Sequence, residues 1–297
     1  MTDFRLKTFC CVAQYLSYTK ASHELCITQP AVSKHIQELE HQYKVRLFER
    51  LGNRIKLTPA GEVLLAQSLE ILAEYSKLDF EMNLLRGEHS GSLNIGASST
   101  ISQYVLPPIL AKFVSKFPEV HVNLLNGNSE FVESELMSHH IDLGLVEGNR
   151  RLPNLKYTHL MDDELVAIAA SQSRYYKLEE MSLPEFCKVP LILRENGSGT
   201  LSVLESALGN KGIKLASINV MMQLGSSESI KLFLRNADVM SVLSFRCVSK
   251  ELSEGIFRVV ELPDLPMNRE FDFVQLQGED SGLSSLFMDF ADHILKI

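Results

Sequence analysis

The segment ITQPAVSKHIQELEHQYKVRLFER, residues 27–50, gives the strongest indication of the fold. Thr28 can cap the start of a helix, and Pro30 falls in the first turn, where a missing amide hydrogen costs nothing. Apolar residues then recur at steps of four and three, at Val32, Ile36 and Leu39. This spacing predicts a helix with one buried face that continues to about residue 43.

The opposite face of this predicted helix is polar. Its side chains are those of Gln29, Pro30, Ser33, Lys34 and Gln37. A helix fits the major groove of DNA, where the base edges present hydrogen-bond donors and acceptors to such side chains. We expect Gln29 to bond an adenine edge, and Pro30 and Ala31 to contact a thymine methyl group. We expect Ser33 and Lys34 to reach a phosphate or a guanine; a merely solvated helix face is the alternative.

Two shorter helices precede this segment and a basic ribbon follows it. Apolar residues at helical spacing over residues 4–16, followed by a hydroxyl cap at Ser17, predict two helices joined by a tight turn. Two short apolar runs flank the turn-prone pair Gly52-Asn53, which predicts a two-stranded ribbon. The ribbon carries the basic residues Arg50, Arg54 and Lys56. We expect this ribbon to approach the DNA, and the amide hydrogens at the Thr28 helix start to bind a phosphate.

A long helix is predicted after the ribbon. Thr58 can cap it and Pro59 can open it, and it continues to about residue 88, a length of roughly 45 Å. A stripe recurs along it at alternating steps of four and three: Leu64, Ser68, Ile71, Tyr75, Leu78, Met82 and Leu85. This heptad spacing favours pairing with the same helix of a second copy. Packing of the stripe on the chain's own body is the alternative.

The charge of the chain is unevenly distributed. The formal net charge of the 297 residues is -8, yet residues 1–60 contain nine Lys and Arg against five Asp and Glu. The first 60 residues therefore carry +4 and the remainder -12. A basic head on an acidic body indicates that only the head approaches a polyanion such as DNA.

Beyond residue 88 the pattern changes to short β-rich runs that alternate with helix-like segments. This alternation predicts a mostly parallel α/β structure, and its length suggests two sheets rather than one. Three predicted strand ends, in GASSTIS, NGNSE and RENGSGT, are rich in small polar residues, and GSSES offers a further helix start. We expect an effector site at Ser98, Ser99, Thr100, Asn126, Ser198, Thr200 and Ser226. Helix starts beside hydroxyl groups favour an anionic ligand, whereas plain helix capping is the alternative.

The sequence gives little indication of a membrane protein, a redox protein, an enzyme or a metal site. No apolar run is long enough to cross a bilayer, so we expect a cytoplasmic protein without a membrane partner. The five cysteines lack paired spacing and are expected to be reduced thiols, with a redox pair of Cys187 and Cys247 as the alternative. NGSGT lacks a P-loop lysine and a nucleophile elbow, and His139, His140 and Asp142 do not complete a zinc spacing. We therefore expect no catalytic site, metal or cofactor.

The motifs together resemble those of the LysR-type transcriptional regulators, over the whole chain. TQPAVSKHIQELE, LFER and LTPAG are similar to the family's recognition helix and to the segments on either side of its wing. The resemblance implies an α+β multidomain protein with a winged helix-turn-helix over residues 1–58 and a linker helix over 59–88. It implies a two-lobed effector domain over 89–297, similar to type 2 periplasmic binding proteins. Lobe I is expected at about 91–162 and 268–297, and lobe II at about 163–267.

The resemblance also implies the function. A homodimer or homotetramer is expected to bind double-stranded promoter DNA and to respond to a small-molecule effector between the two lobes. The composition of the strand ends favours an anionic effector, and RNA polymerase is a possible further partner. The alternative class is a solute-binding or enzymatic α/β body that merely carries a DNA-binding head.

Overall fold

The computed structural model describes residues 3–51, 54–85, 90–278 and 282–296. The chain divides into two compact units, residues 1–91 and 92–297. The first unit contains α1 (Phe4–Tyr15), α2 (Tyr18–Glu24), α3 (Gln29–Tyr43), β1 (Phe48–Leu51), β2 (Arg54–Leu57) and α4 (Pro59–Leu85). The helix starts follow the capping residues in the sequence, since Ser17 and Thr28 each accept a hydrogen bond from a backbone amide of the following turn.

The first three helices share one core with the ribbon. Val32, Ile36 and Leu39 are buried, which confirms the predicted inner face of α3. They pack in one cluster with residues of α1 and with Phe48 of the ribbon. Strands β1 and β2 pair antiparallel, with Phe48 opposite Leu57. The predicted Gly52-Asn53 turn lies outside the described residues.

The second unit begins with three strands and three helical segments. In chain order these are β3 (Gly91–Ser98), a π-helix (Ile101–Val105), α5 (Leu106–Lys116), β4 (Val120–Gly127), α6 (Ser129–Met137) and β5 (Leu143–Glu147). The longest strand follows, and then come a short helix and two strand–helix pairs: β6 (Leu155–Ala170), α7 (Leu183–Phe186), β7 (Leu191–Arg194), α8 (Gly199–Asn210), β8 (Val220–Leu224) and α9 (Ser227–Leu234). The last elements are β9 (Met240–Ser244), α10 (Phe245–Ser253), β10 (Phe257–Val259), β11 (Asn268–Leu276) and α11 (Leu283–Leu295).

The described strands of this unit join in the order β4-β3-β5-β11-β6-β9-β7-β8, and β10 pairs with β6. We call the β4, β3, β5 side the first lobe and the β9, β7, β8 side the second lobe. The sequence predicts two sheets, and each lobe has one, but the two are joined because the 16-residue β6 belongs to both lobes. Its first part pairs with β11 and its last part pairs with β9. These crossover pairings are antiparallel, whereas β3–β5 and β7–β8 are parallel.

Each lobe has its own apolar core. In the second lobe, α8 packs on one face of the sheet and α9 and α10 pack on the other. In the first lobe, Phe113 of α5 contacts Phe287 and Phe290 of α11 with ring centroids 5.1 and 5.3 Å apart. The carboxyl ends of β3, β5, β7 and β9 meet where the two lobes touch, which places their following loops at one cleft.

Candidate DNA-binding face and effector cleft

The polar face of α3 is accessible. The side chains of Thr28, Gln29, Pro30, Lys34 and Gln37 are exposed, and those of Ala31 and Ser33 are half-buried. Gln29 Nε2 donates to Ser33 Oγ at 3.1 Å. Lys34 Nζ lies 3.9 Å from Glu38 Oε1, and such an exposed pair adds little stability. These contacts are weak enough to be exchanged for contacts with DNA.

The ribbon presents further basic groups. Arg50 is exposed. Lys56 Nζ lies 2.8 Å from Glu49 Oε1, its cross-strand partner, so part of the positive charge is neutralised within the ribbon. The backbone of Arg54 belongs to β2, but its side chain lies outside the described residues.

The stripe along α4 divides into a buried and an exposed part. Near the start of the helix, Leu64 packs against the core of the first unit and Ser68 is buried. Farther along, the side chains of Ile71, Leu78 and Met82 are 44, 50 and 54% exposed, respectively. Tyr75 is half-buried, and the side chain of Leu85 lies outside the described residues. The exposed part is therefore available to a partner helix.

A cluster of buried ionic groups lies where the two lobes meet, and Arg269 of β11 is at its centre. Arg269 Nη1 lies 3.1 Å from Glu147 Oε1 and donates to Thr200 Oγ1 at 3.0 Å. Its Nε donates to Asp163 Oδ2 at 2.7 Å. Ser98 Oγ donates to Glu147 Oε2 at 3.1 Å. We call these five residues the buried ion-pair cluster; Glu147 and Ser98 belong to the first lobe, and Thr200 to the second.

A second buried arginine also connects the lobes. Arg194, at the end of β7, donates through Nε to Glu195 Oε2 at 2.8 Å and through Nη1 to Ser227 Oγ at 3.2 Å. Its Nη2 donates to Ser99 Oγ of the first lobe at 3.4 Å. Burial alone would raise the pKa of Glu195, but the hydrogen bond and charge of Arg194 outweigh it and hold the pKa below its ordinary value.

The predicted effector contacts lie at or beside these arginines. Ser98, Ser99, Thr100, Ser198 and Thr200 are buried, Ser226 is half-buried and Asn126 is exposed. Ser198 caps α8 through its hydroxyl oxygen, and Ser226 occupies the cap position of α9 without such a bond. Asn126 Oδ1 accepts a hydrogen bond from Ser102 Oγ at 3.0 Å. Most of these polar groups are thus engaged within the protein, and their contact with an effector stays a prediction.

Two glycines bring the lobes into backbone contact. A Cβ atom on Gly199, the first residue of α8, would lie 2.0 Å from the carbonyl oxygen of Glu147. A Cβ atom on Gly148 would lie 3.2 Å from Gly199 Cα, and Gly148 has a φ of +114° that side-chain-bearing residues rarely adopt. The lobes touch here because both positions lack a side chain.

A further contact between the lobes involves Tyr104 of the π-helix. Its hydroxyl is hydrogen-bonded to the carboxylate of Glu228 on α9. Lys231 Nζ lies 5.3 Å from the centroid of the Tyr104 ring and is also 2.8 Å from Glu251 Oε1. Burial opposes the charge of Lys231, but the bonds to both glutamates outweigh it and raise its pKa.

A cavity of about 970 Å³ opens between the lobes on the side of the π-helix and α10. It is lined by Tyr104, Asn149, Asp162, Asp163, Glu164, Phe245, Arg246, Ser249, Asn268, Arg269 and Glu270. Arg246 is its accessible cation: the side chain is 41% exposed, and Nε lies 3.7 Å from Asp163 Oδ1. Arg269, by contrast, is enclosed in the buried ion-pair cluster.

Two smaller features lie nearby. A cavity of about 300 Å³ lies between the starts of α6 and α8 and is lined in part by Ser198. His159, Asp162 and Glu270 bring one possible metal-ligand atom each to within 4.8 Å of one another, and all three are exposed. Exposed groups of this kind are common without a metal. Asp162 and Glu270 also line the larger cavity.

The sequence reasoning did not identify the arginines of the cleft. Arg194 stands within the RENGSGT motif, of which only the hydroxyl groups were predicted to contact the effector. Arg269 is in phase with Phe271 and Phe273 along β11, so an alternating pattern already places it on the buried side of a strand. A charged residue in such a phase predicts a buried ion pair. Arg246 carried no comparable signal.

No helix in the described part of the chain is both long enough and apolar enough to cross a membrane.

Comparisons with known proteins identify both units. Residues 4–62 match the family described as bacterial regulatory helix-turn-helix protein, lysR family, and residues 86–295 match the LysR substrate binding domain. The uncharacterised HTH-type transcriptional regulator YeiE of Escherichia coli is 32% identical over 290 residues, which cover 97% of this chain and 96% of that protein.

Two solved structures share the fold. The CcmR regulatory domain of Synechocystis PCC6803 in complex with 2-PG covers 70% of this chain and 98% of that domain, with 24% identity and a TM-score of 0.63. Full-length CbnR complexed with its target DNA covers 99% of each chain, with 18% identity and a TM-score of 0.66.

These matches confirm the predicted fold class, with its helix-turn-helix and its two-lobed α/β domain. They also agree with the expectation that the protein is not an enzyme, since the relatives are regulators. The chain belongs to the LysR family of bacterial transcriptional regulators, whose members join a DNA-binding helix-turn-helix to an effector-binding domain.

Proposed function

We propose that this regulator binds promoter DNA in the cytoplasm as a homodimer or homotetramer, and that a small molecule with an acidic group controls it. The recognition helix is α3, the pairing helix is α4, and the effector enters the 970 Å³ cavity between the lobes. The observation that carries the effector proposal is Arg246, a weakly paired cation on the wall of a cavity large enough for a metabolite. RNA polymerase is a possible further partner at the promoter.

The proposal for DNA binding rests on the exposed polar face of α3. One head neutralises few phosphates, so a single copy is expected to bind weakly. Two copies paired through α4 would present two recognition helices to successive major grooves, which favours a pseudo-palindromic site. CbnR, which shares the fold, is itself described in complex with target DNA.

Gln29→Ala is expected to weaken specific binding by about 1 to 3 kcal/mol and to relax the base preference at one position of each half-site. The reason is that glutamine can pair with an adenine edge through two hydrogen bonds, whereas alanine cannot. Binding to duplexes selected from a random-sequence pool, and to scrambled duplexes, measures both effects at several salt concentrations. Gln14→Ala, an exposed glutamine on α1, is the control. Unchanged selectivity in Gln29→Ala would remove this residue from base readout.

Ile71→Asp combined with Leu78→Asp is expected to abolish pairing through α4. Both side chains are exposed in one copy, so the change leaves its core intact but places like charges in a paired seam. Sedimentation should show the loss of the helix-mediated dimer, with DNA affinity falling towards that of one head. Val63→Asp, an exposed residue of the same helix outside the stripe, should leave assembly intact. Persistent assembly of the double variant would show that α4 pairs by another face.

The acidic class of the effector is supported by the cations of the cleft. Arg194 and Arg269 are already neutralised by the carboxylates of Glu195, Glu147 and Asp163. Arg246 is different, because its contacts to Asp163 and to the Asp162 carbonyl are long, at 3.7 and 3.5 Å. It can therefore turn to an incoming acid at little cost. In the CcmR domain that shares this fold, the bound small molecule is 2-PG.

Arg246→Gln is expected to weaken effector binding about tenfold, because a charge-assisted hydrogen bond to the acid is lost. A panel of carboxylates, sulfate and phosphate esters would be screened by thermal shift on the full chain, and the best compound measured by calorimetry. Arg258→Gln, an arginine of β10 outside the cavity, is the matched control. Equal affinity in the Arg246 and Arg258 variants would show that the acid does not bind at this wall.

An effector can shift the equilibrium between two arrangements of the lobes only if it binds one of them more tightly. The free energy of the shift cannot exceed the difference between the two binding free energies. A tenfold difference supplies about 1.4 kcal/mol. The lobes are held together by a few named contacts, including Ser99 with Arg194 and Tyr104 with Glu228. A free energy of this size is enough to break single hydrogen bonds such as these two. We therefore propose that effector binding acts on these two contacts.

A further inference from the structure

The wall of the 970 Å³ cavity that is formed by the crossover strands carries three carboxylates. In the register of β6 with β11, Asp162 lies opposite Glu270, and Glu164 lies opposite Asn268. Alternate residues of a strand share one face, so these side chains lie on the same side of the sheet. The buried pair of Asp163 and Arg269 belongs to the other side.

These carboxylates are poorly neutralised. Asp162 and Glu270 face each other directly, an arrangement of like charges that destabilises a pair of strands. Glu270 lies 3.5 Å from Arg151, but Arg151 is closer to Asp272, at 2.8 Å. Asp162 is 3.0 Å from His159 Nε2, and the pKa of this histidine is raised by that hydrogen bond.

Glu164 is exposed and forms no ion pair within the described part of the chain. Among the described residues that line the cavity, the accessible charged side chains are three carboxylates, those of Asp162, Glu164 and Glu270, and one cation, Arg246. A purely anionic effector would be attracted by Arg246 and repelled by these three carboxylates. A ligand with a positive group at its other end would relieve this repulsion, and would also relieve the repulsion between Asp162 and Glu270.

Aromatic rings stand beside this acidic wall. Phe245, at the start of α10, is 47% exposed, and it lines the cavity together with Tyr104. Aromatic faces attract cationic nitrogen groups, and they do so without adding charge. The cavity therefore offers a cation, three carboxylates and aromatic surface to a single ligand.

From this distribution we infer that the effector carries a basic nitrogen as well as its acidic group, so that it is a zwitterion of the amino acid type. The acid binds Arg246, and the ammonium or guanidinium group binds between Glu164 and Glu270. This inference rests on the proposed function, because it takes the same cavity as the effector site. It goes beyond the proposed function by naming the chemical class of the effector.

The test compares three sets of compounds on the full-length protein at constant ionic strength, with EDTA present. The first set contains carboxylates and phosphate esters, the second contains mono- and diamines, and the third contains the protein amino acids and ω-amino acids. Thermal shift ranks the sets, and calorimetry measures the best compound beside its analogue that lacks the amino group. The largest stabilisation is expected from the third set, with about tenfold weaker binding of the deaminated analogue.

The variants Glu164→Gln and Arg246→Gln test which residue binds the basic group of the ligand and which binds its acidic group. Glu164→Gln is expected to weaken binding of the zwitterion about tenfold and to leave binding of the deaminated analogue unchanged. Arg246→Gln is expected to weaken binding of both compounds. A best ligand that is purely anionic, unaffected by Glu164→Gln and weakened by Arg246→Gln would overturn the inference and leave the proposed function standing. Recovery of tight anion binding only when Zn²⁺ or Mn²⁺ replaces EDTA would also overturn it. Failure of all three sets would remove the cavity as the effector site.

Discussion

Arg269→Met is expected to lower the free energy of unfolding by about 3 to 5 kcal/mol. Methionine fills a similar volume, so the loss is not one of packing. The guanidinium group lies between the carboxylates of Glu147 and Asp163, and all three are buried. Removing the cation leaves two buried carboxylates with neither a counter-charge nor water around them. The resulting loss of stability is far larger than the stability that an exposed ion pair on the surface contributes.

Chemical denaturation of the full chain, monitored by a signal from the second unit, measures this effect. Arg258→Met is the control: the Arg258 side chain is exposed, and its guanidinium lies 3.5 Å from the Tyr176 carbonyl oxygen and 5.7 Å from the centroid of the Tyr176 ring. Exposed contacts of this kind contribute little, so the free energy of unfolding should change by less than about 1 kcal/mol. A loss below about 1 kcal/mol in Arg269→Met would show that water or a rearranged side chain replaces the cation easily. In that case the buried ion-pair cluster would not hold the lobes together.

Gly199→Ala is expected to destabilise the closed contact between the lobes by about 3 kcal/mol. The added methyl group would lie 2.0 Å from the Glu147 carbonyl oxygen, a backbone atom that cannot turn aside. Either the start of α8 or the end of β5 must shift, and this movement would also stretch the bonds of Thr200 to Glu147 and Arg269. Thermal unfolding and hydrogen exchange at the start of α8 report both consequences.

Gly209→Ala supplies a control in the same helix with the opposite expected sign. Apart from the backbone of its own helix and its chain neighbours, no atom of the described residues lies within 4 Å of a Cβ atom built at Gly209. Alanine there restricts the unfolded chain and favours the helix, so stability should rise by about 0.5 to 1 kcal/mol. Equal effects of the two substitutions would show that the close approach at Gly199 is not a constraint on the folded state.

The DNA-binding unit was predictable because its determinants are local. Thr28 caps α3 within three residues, and Val32 and Ile36 occupy one face through the helical repeat alone. The exposure of Ile71 and Leu78 also follows from spacing along one helix. None of these features requires knowledge of residues far away in the chain.

The effector cleft was less predictable because its chemistry depends on distant pairing. Arg269 lies 106 residues from Asp163, and Ser99 lies 95 residues from Arg194, so no local pattern joins them. The sequence places small polar residues at the strand ends, but it does not identify the distant residues with which they form hydrogen bonds. The charge of the cavity wall has the same origin, since Asp162 and Glu270 meet only through the register of β6 with β11.

The sharing of β6 by both lobes has a consequence for how the gene can vary. Residues 155–159 and 161–164 of this strand pair with β11 on either side of an irregularity at Leu160, and residues 165–169 pair with β9. Side chains alternate between the two faces of a strand, so one inserted or deleted codon near the middle would move every later side chain to the opposite face. The core of one lobe would then be turned outward while the other stayed correct. Length changes in homologous genes should accordingly fall in the loops around β6 and be absent from its centre.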